Sequence, residues 1–162
     1  MKASSLRGLI PAFLFAVILA TAWGAVVQTQ YNLAALAGIG VDVGAVRWQA
    51  TMRDLFSGFF PTYGGYVVLP ALLVSFIVAS LLARRLPQAR IPLVSLAGGV
   101  AVFLAIPLVN WLSPVALLVG ASRDWGATLW MAVGGLLAGL LYAWLTRPAH
   151  RAALQRRRPA PA

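Results

Sequence analysis

Few residues in this chain are equipped for chemistry, and most of them gather in two short stretches. Arg47, Trp48, Arg53 and Asp54 form one group, and Arg123, Asp124 and Trp125 form the other. Asn110 stands apart in an otherwise apolar run. A guanidinium holds phosphate or carboxylate through paired, planar hydrogen bonds. The pattern therefore fits retention of a lipid phosphate or a partner's carboxylate, with Arg47, Trp48, Arg53, Asp54, Asn110, Arg123 and Asp124 as the candidate contacts. The plainer reading of Arg53-Asp54 and Arg123-Asp124 is local charge compensation. The sharper one is a salt bridge joining the two stretches, contributing about 0–1 kcal/mol if exposed. Asn110 has a structural alternative too, since an amide in an apolar helix hydrogen-bonds its neighbours for about 0.6–2 kcal/mol.

The same inventory argues against catalysis. The only acids are Asp42, Asp54 and Asp124, scattered and without a neighbouring His, which makes a poor ligand set for a metal. With no cysteine there is no disulfide, thiol redox chemistry or Cys-ligated cluster. The single histidine, His150, lies in a basic tail, where it cannot provide paired haem ligands or an intramembrane Ser–His couple. We expect no catalytic residues, no metal, no cofactor and no enzymatic activity.

The elements that must carry these residues follow from charge spacing. Only 10 % of the 162 residues are charged and 61 % are hydrophobic, against about 25 % charged in an ordinary soluble domain. Four stretches lack charge altogether: Arg7 to Asp42, Asp54 to Arg84, Arg90 to Arg123 and Asp124 to Arg147. Roughly 20 helical residues cross a hydrocarbon core of about 30 Å, so each stretch holds one crossing. The expected fold is an all-α integral membrane protein, a bundle of four transmembrane helices at about 8–27, 66–83, 91–112 and 126–146. These make one domain over residues 1–148, followed by a basic disordered tail at 149–162. The first run also resembles a signal peptide, with Ala20-Thr21-Ala22 as a cleavage site, but it is long for one and reads better as an uncleaved helix.

Between the first two crossings, Gly38, Gly40 and Gly44 break the helical pattern. From 45 to 60 the apolar residues Trp48, Met52, Leu55, Phe56 and Phe59 share one helical face, which predicts an amphipathic helix at the membrane surface or packed on the bundle. Pro61, Gly64 and Gly65 predict a turn into the second crossing, and Pro107 a kink in the third.

Of the 13 basic residues, all but Arg47, Arg53 and Arg123 lie before the first crossing, between the second and third, or after the fourth. Basic segments stay cytoplasmic, so both termini are expected inside a bacterial-type inner membrane. All three acids fall in the two outward loops. Most Trp and Tyr residues (Trp23, Trp48, Trp111, Trp125, Trp130, Tyr31, Tyr63 and Tyr66) map near the outward interface, with Trp144 and Tyr142 near the inward one. The net charge of +10 thus reads as a topology signal, and nucleic acid is not an expected partner.

Lipid provides little hydrophobic drive between helices, so small residues spaced by four must let backbones meet. Gly135, Gly139 and Ala143 form the strongest such strip, and Ala16, Ala20 and Gly24 another. Membrane lipids and either further copies of the chain or another membrane protein are the expected partners. The function expected is association, as an accessory subunit, an assembly partner or a self-associating oligomer. The surface helix at 45–60 and the Gly135/Gly139 face would be the contacts. An oligomeric channel or carrier for a neutral or lipophilic solute is the alternative.

Overall fold

A computed structural model describes residues 3–56, 59–112 and 124–147, with side chains from residue 8 onward. All its regular structure is helical: α1 (Ala3–Gly38), α2 (Arg47–Phe56), α3 (Phe59–Tyr63), α4 (Leu69–Leu82), α5 (Arg90–Leu112) and α6 (Trp125–Leu145). A π-helical turn, Gly64–Val68, joins α3 to α4, and a 3-10 turn, Pro87–Ala89, precedes α5. Four helical segments are long and apolar enough to cross a membrane: Gly8–Gly38, Phe59–Leu82, Pro87–Leu112 and Trp125–Leu145.

The first helix runs well past the expected end near residue 27. Its 36 residues span about 54 Å, far more than a hydrocarbon core of about 30 Å. It continues because Gln28 to Ala37 contains no breaker, and its polar residues find partners instead of ending it. It stops in a Schellman motif. Val41 N–H donates to Leu36 O (3.2 Å), Gly40 N–H donates to Ala37 O (3.0 Å), and Gly40 adopts φ +87°, open to glycine without a Cβ penalty.

The second crossing also starts earlier than expected, at Phe59 rather than Tyr66. Pro61 sits in the first turn, where its missing N–H is harmless. Gly64 and Gly65 do not form a loop; the helix widens through them into the π turn, with Leu69 N–H donating to Gly64 O. In a regular α turn the Pro70 ring would strike the Tyr66 carbonyl, and the widened turn lies just N-terminal to it. Of the single surface helix expected at 45–60, Arg47–Phe56 is α2 and Phe59 already belongs to α3. Residues 57 and 58, and the tail after Arg147, lie outside the described residues.

Around the bundle the long helices follow the order α1, α6, α5, α4, each packed on the next. At the end carrying α2, α3 and the π turn close the ring against α1. At the opposite end α1 and α4 touch sparsely, bridged by the edge-to-face pair Phe13–Phe76 at 6.2 Å. The centre mixes small and large side chains, with Ala16, Ala20, Ala138 and Ala143 beside Tyr63, Leu72, Ile106 and Met131, while Leu96, Val100, Leu104 and Leu108 form an exposed apolar stripe on α5. Exposed apolar residues recur on α1, α4 and α6.

The α5–α6 contact is the tightest. A Cβ on Gly98 would meet the Gly135 carbonyl oxygen, and one on Gly135 would meet Gly98 O and, at 2.7 Å, Val102 Cγ2. A Cβ on Gly139 would meet Val94 O and, at 2.8 Å, Ser95 Cα. Ser95 Oγ donates to Leu136 O at 2.8 Å across the same seam. Ala143 is fully buried one turn further on. Thus the face of Gly135, Gly139 and Ala143 is occupied within the chain, which corrects the expectation that it serves a separate partner: α5 carries its own glycine pair, Gly98 and Gly99, to meet it. On α1, Ala16 and Ala20 are buried, and Gly24 is filled by the Tyr63 ring, 2.9 Å from Cζ to a built Cβ.

Candidate functional site

Polar side chains converge where α2 crosses α1. The apolar run of α1 gives way at Gln28-Thr29-Gln30, and the last two of these residues bond to α2 at the crossing. Thr29 Oγ1, buried, lies 2.8 Å from Asp54 Oδ2 and 2.9 Å from Ala25 O. Gln30 Nε2 donates to Thr51 Oγ1 at 3.0 Å, and Thr51 Oγ1 donates to Arg47 O at 2.8 Å. Thr51 and Asp54 are thus the feet of α2 on α1. Met52 and Leu55 are half-buried beside them. Trp48 and Phe56, at the two ends of the same helix, are 72 % and 78 % exposed. One edge of this helix packs on the bundle, as one of the two expected placements requires, and the other presents large apolar rings outward.

The remaining candidate residues distribute as follows. Arg47 and Arg53 are exposed on α2, and Asp54 is half-buried at the crossing. Asp124 is the N-cap of α6, accepting from Gly126 N–H at 2.7 Å in an extended conformation, the usual work of an Asp there. Tyr31 Oη of α1 comes within 3.0 Å of a Cβ built on Gly126, which brings the Asp124 cap to the same end as the α1–α2 crossing. Asn110 is half-buried in the last turn of α5. Arg123 lies outside the described residues. Among the described residues no three His, Asp or Glu side chains converge as metal ligands.

Replacing Thr51 by Val removes the bond it accepts from Gln30 across the crossing and the one it donates to Arg47 O within α2. The expected cost is about 1–2 kcal/mol, localised to α2. Hydrogen exchange of the α2 amides in detergent should accelerate while the α5 amides stay protected.

Three further residues do more than their positions in the sequence indicate. Tyr63, expected at an interface, is fully buried, stacked on Phe59 at 4.9 Å and wedged against Gly24. Its hydroxyl has no hydrogen-bond partner among the described residues. A buried hydroxyl without a partner costs about 1–3 kcal/mol, so Tyr63→Phe should raise the midpoint of thermal unfolding rather than lower it. Trp23, another expected interface ring, lies on Gly134, with Cδ1 2.6 Å from a built Cβ, and donates from Nε1 to Trp130 O at 2.7 Å. It stitches α1 to α6.

The third is Arg90, read from sequence as a topology charge. It is only 7 % exposed. Nη1 donates to Ala143 O at 2.7 Å and Nη2 donates to Thr146 Oγ1, which in turn donates to Tyr142 O at 2.6 Å. The first residue of α5 thereby caps the last turn of α6, where orphan carbonyls and the negative end of the helix dipole favour a cation. No local spacing signals this, because the acceptors come from a helix far along the chain. At the α2 end of α6, Gly126, Leu129, Trp130 and Val133 line an open apolar pocket of about 180 Å³. No protein-family model, no curated protein and no solved structure matches this chain.

Proposed function

We propose that the chain is a multi-pass protein of a bacterial-type inner membrane, with both termini cytoplasmic, that works by association rather than by catalysis. It serves as an accessory subunit or assembly partner of a membrane complex, or assembles with its own copies. The large apolar side chains on the outside of all four long helices support lipid as the surrounding medium, since a contiguous apolar surface of this extent does not persist in water. The charge distribution supports the orientation, with ten basic residues and no acid in the segments assigned inward.

One observation carries the association reading. The polar feet of α2 fix it on α1 at the level of Gln28 to Gln30, where the apolar run ends, yet Trp48 and Phe56 on that helix remain exposed. A helix held by its polar residues, with its rings turned outward, is a surface prepared for the headgroup boundary or a partner. Because the Gly135/Gly139 face is filled by α5, contact with a partner falls to α2 and the helix exteriors. The interior of the bundle is filled by side chains such as Tyr63, Leu72, Ile106 and Met131, so a pore would have to form between chains.

Purification of the tagged chain in mild detergent, followed by mass measurement, tests this. A second membrane protein at fixed ratio, or a defined oligomer, is the expected result, and Trp48→Ser with Phe56→Ser should release it. A lone monomer carrying nothing would end the association reading. A closed ring conducting a neutral solute would favour the channel. A reporter fused after Arg158 should behave as cytoplasmic.

A further inference from the structure

The end of the bundle opposite α2 concentrates positive charge that the fold does not neutralise. Arg84 and Arg85 are exposed in the turn that leads into α5, and Arg147 is exposed just past the end of α6. The chain's three acids all lie toward the other end, Asp42 after α1, Asp54 on α2 and Asp124 capping α6. Arg90 tightens the arrangement. By bonding Ala143 O and Thr146 Oγ1 it ties the start of α5 to the end of α6, one residue before the exposed Arg147. Arg90 spends its Nη donors on the carbonyl and hydroxyl, whereas Arg84, Arg85 and Arg147 extend into the surroundings. The first turn of α5 adds no acidic residue, so its positive dipole end is likewise uncompensated by a side chain.

Beside these guanidinium groups the surface is apolar. Leu86 in the turn is 56 % exposed and Trp144 on α6 is 60 % exposed. Cationic forks next to bare apolar walls match a ligand with an anionic head and hydrocarbon tails. A soluble phosphate would use only the first half of that surface.

We infer that Arg84, Arg85 and Arg147 form a binding site for the phosphate of an anionic phospholipid, with its acyl chains lying along Leu86 and Trp144. Planar guanidinium groups pair with two phosphate oxygens at once, and basic pockets between helices at the cytoplasmic side suit such headgroups. Arg90 is a positioning residue here: it sets the spacing of the two helix ends and does not touch the lipid. The inference rests on the membrane reading proposed above, and adds a specific ligand class and place.

The test uses the full chain in lipid-free detergent micelles, titrated separately with phosphatidylglycerol, phosphatidylcholine and inorganic phosphate, and followed by the shift in thermal unfolding midpoint. Phosphatidylglycerol should raise the midpoint saturably, while the other two leave it unmoved. Apparent affinity should fall roughly fivefold for each arginine removed in Arg84→Gln, Arg85→Gln and Arg147→Gln, since each basic group near the surface contributes about that factor. Should the triple variant aggregate, the single variants carry the same readout. Equal response to phosphatidylcholine, equal response to inorganic phosphate, or undiminished affinity in the variants would each overturn the site. A chain that stays dissolved without detergent would instead sink the membrane reading itself.

Discussion

Gly135→Leu should keep α5 and α6 from meeting, and the purified variant is expected to unfold at far lower denaturant than the parent protein. At this seam the added atoms meet no flexible side chain that can swing aside. They meet the Gly98 carbonyl oxygen and Val102 Cγ2, while the reciprocal change at Gly98 meets the Gly135 carbonyl. Overpacking a filled core costs about 1–3 kcal/mol, and more where the obstacle is backbone. The helices must separate, which also breaks the Ser95–Leu136 hydrogen bond. We expect a loss of about 3 kcal/mol or more for Leu at either glycine, measured by reversible unfolding in mixed micelles. Even Gly135→Ala should show a clear loss. The matched control is Gly65→Ala, where a new Cβ meets nothing within 4 Å; its midpoint should hold or rise slightly, since Ala is the better helix former. Equal behaviour of the two would mean that α5 and α6 do not meet through these glycines.

Arg90→Met is the second large effect. Methionine approximates the arginine stem but removes the Nη donors to Ala143 O and Thr146 Oγ1, together with the cation at the end of the α6 dipole. Hydrogen bonds from charged donors contribute about 1.5–3 kcal/mol each, and favourable dipole contacts up to about 2 kcal/mol. Desolvation of the guanidinium offsets part of that sum, which leaves an expected loss of about 2–4 kcal/mol. Amides in the last turn of α6 should lose hydrogen-exchange protection first. Arg90→Lys supplies one compact donor in place of the fork and should fall between. Arg84→Met, at an exposed position, should change stability by less than about 0.5 kcal/mol. If Arg90→Met behaved like Arg84→Met, Arg90 would be a topology charge and nothing more.

These two predictions draw on different depths of legibility. The strip of Gly135, Gly139 and Ala143 is visible in the sequence because a spacing of four keeps small residues on one helical face, whatever that face touches. Its partner is not visible: Gly98 and Gly99 are adjacent and advertise no strip of their own. For Arg90 the sequence points elsewhere. A basic residue at a helix start beside Arg84 and Arg85 reads as a topology signal, and only the approach of Ala143 and Thr146 gives it a second role. Tyr63 and Trp23 teach the same lesson. Aromatic residues near a helix end are expected at the headgroup level, yet Tyr63 fills the space above Gly24 and Trp23 the space above Gly134. The candidate polar residues were partly legible. Arg47, Trp48, Arg53 and Asp54 do share α2, but the residues that anchor that helix, Thr29, Gln30 and Thr51, are ordinary polar side chains without any chemical signature.

Four long apolar helices, their number and their approximate places were determined by the sequence alone. The physical reason is local: charges are too costly within an apolar span, so the gaps between them mark the spans, and glycine and proline mark where the pattern is interrupted. Which helix meets which, and which side chain ends up buried between them, was decided only by the tertiary structure. Those choices depend on shape matching between segments distant in the chain: a carbonyl against a glycine, a guanidinium at another helix's last turn, a ring above a missing Cβ. No residue's own type or spacing encodes what will stand opposite it.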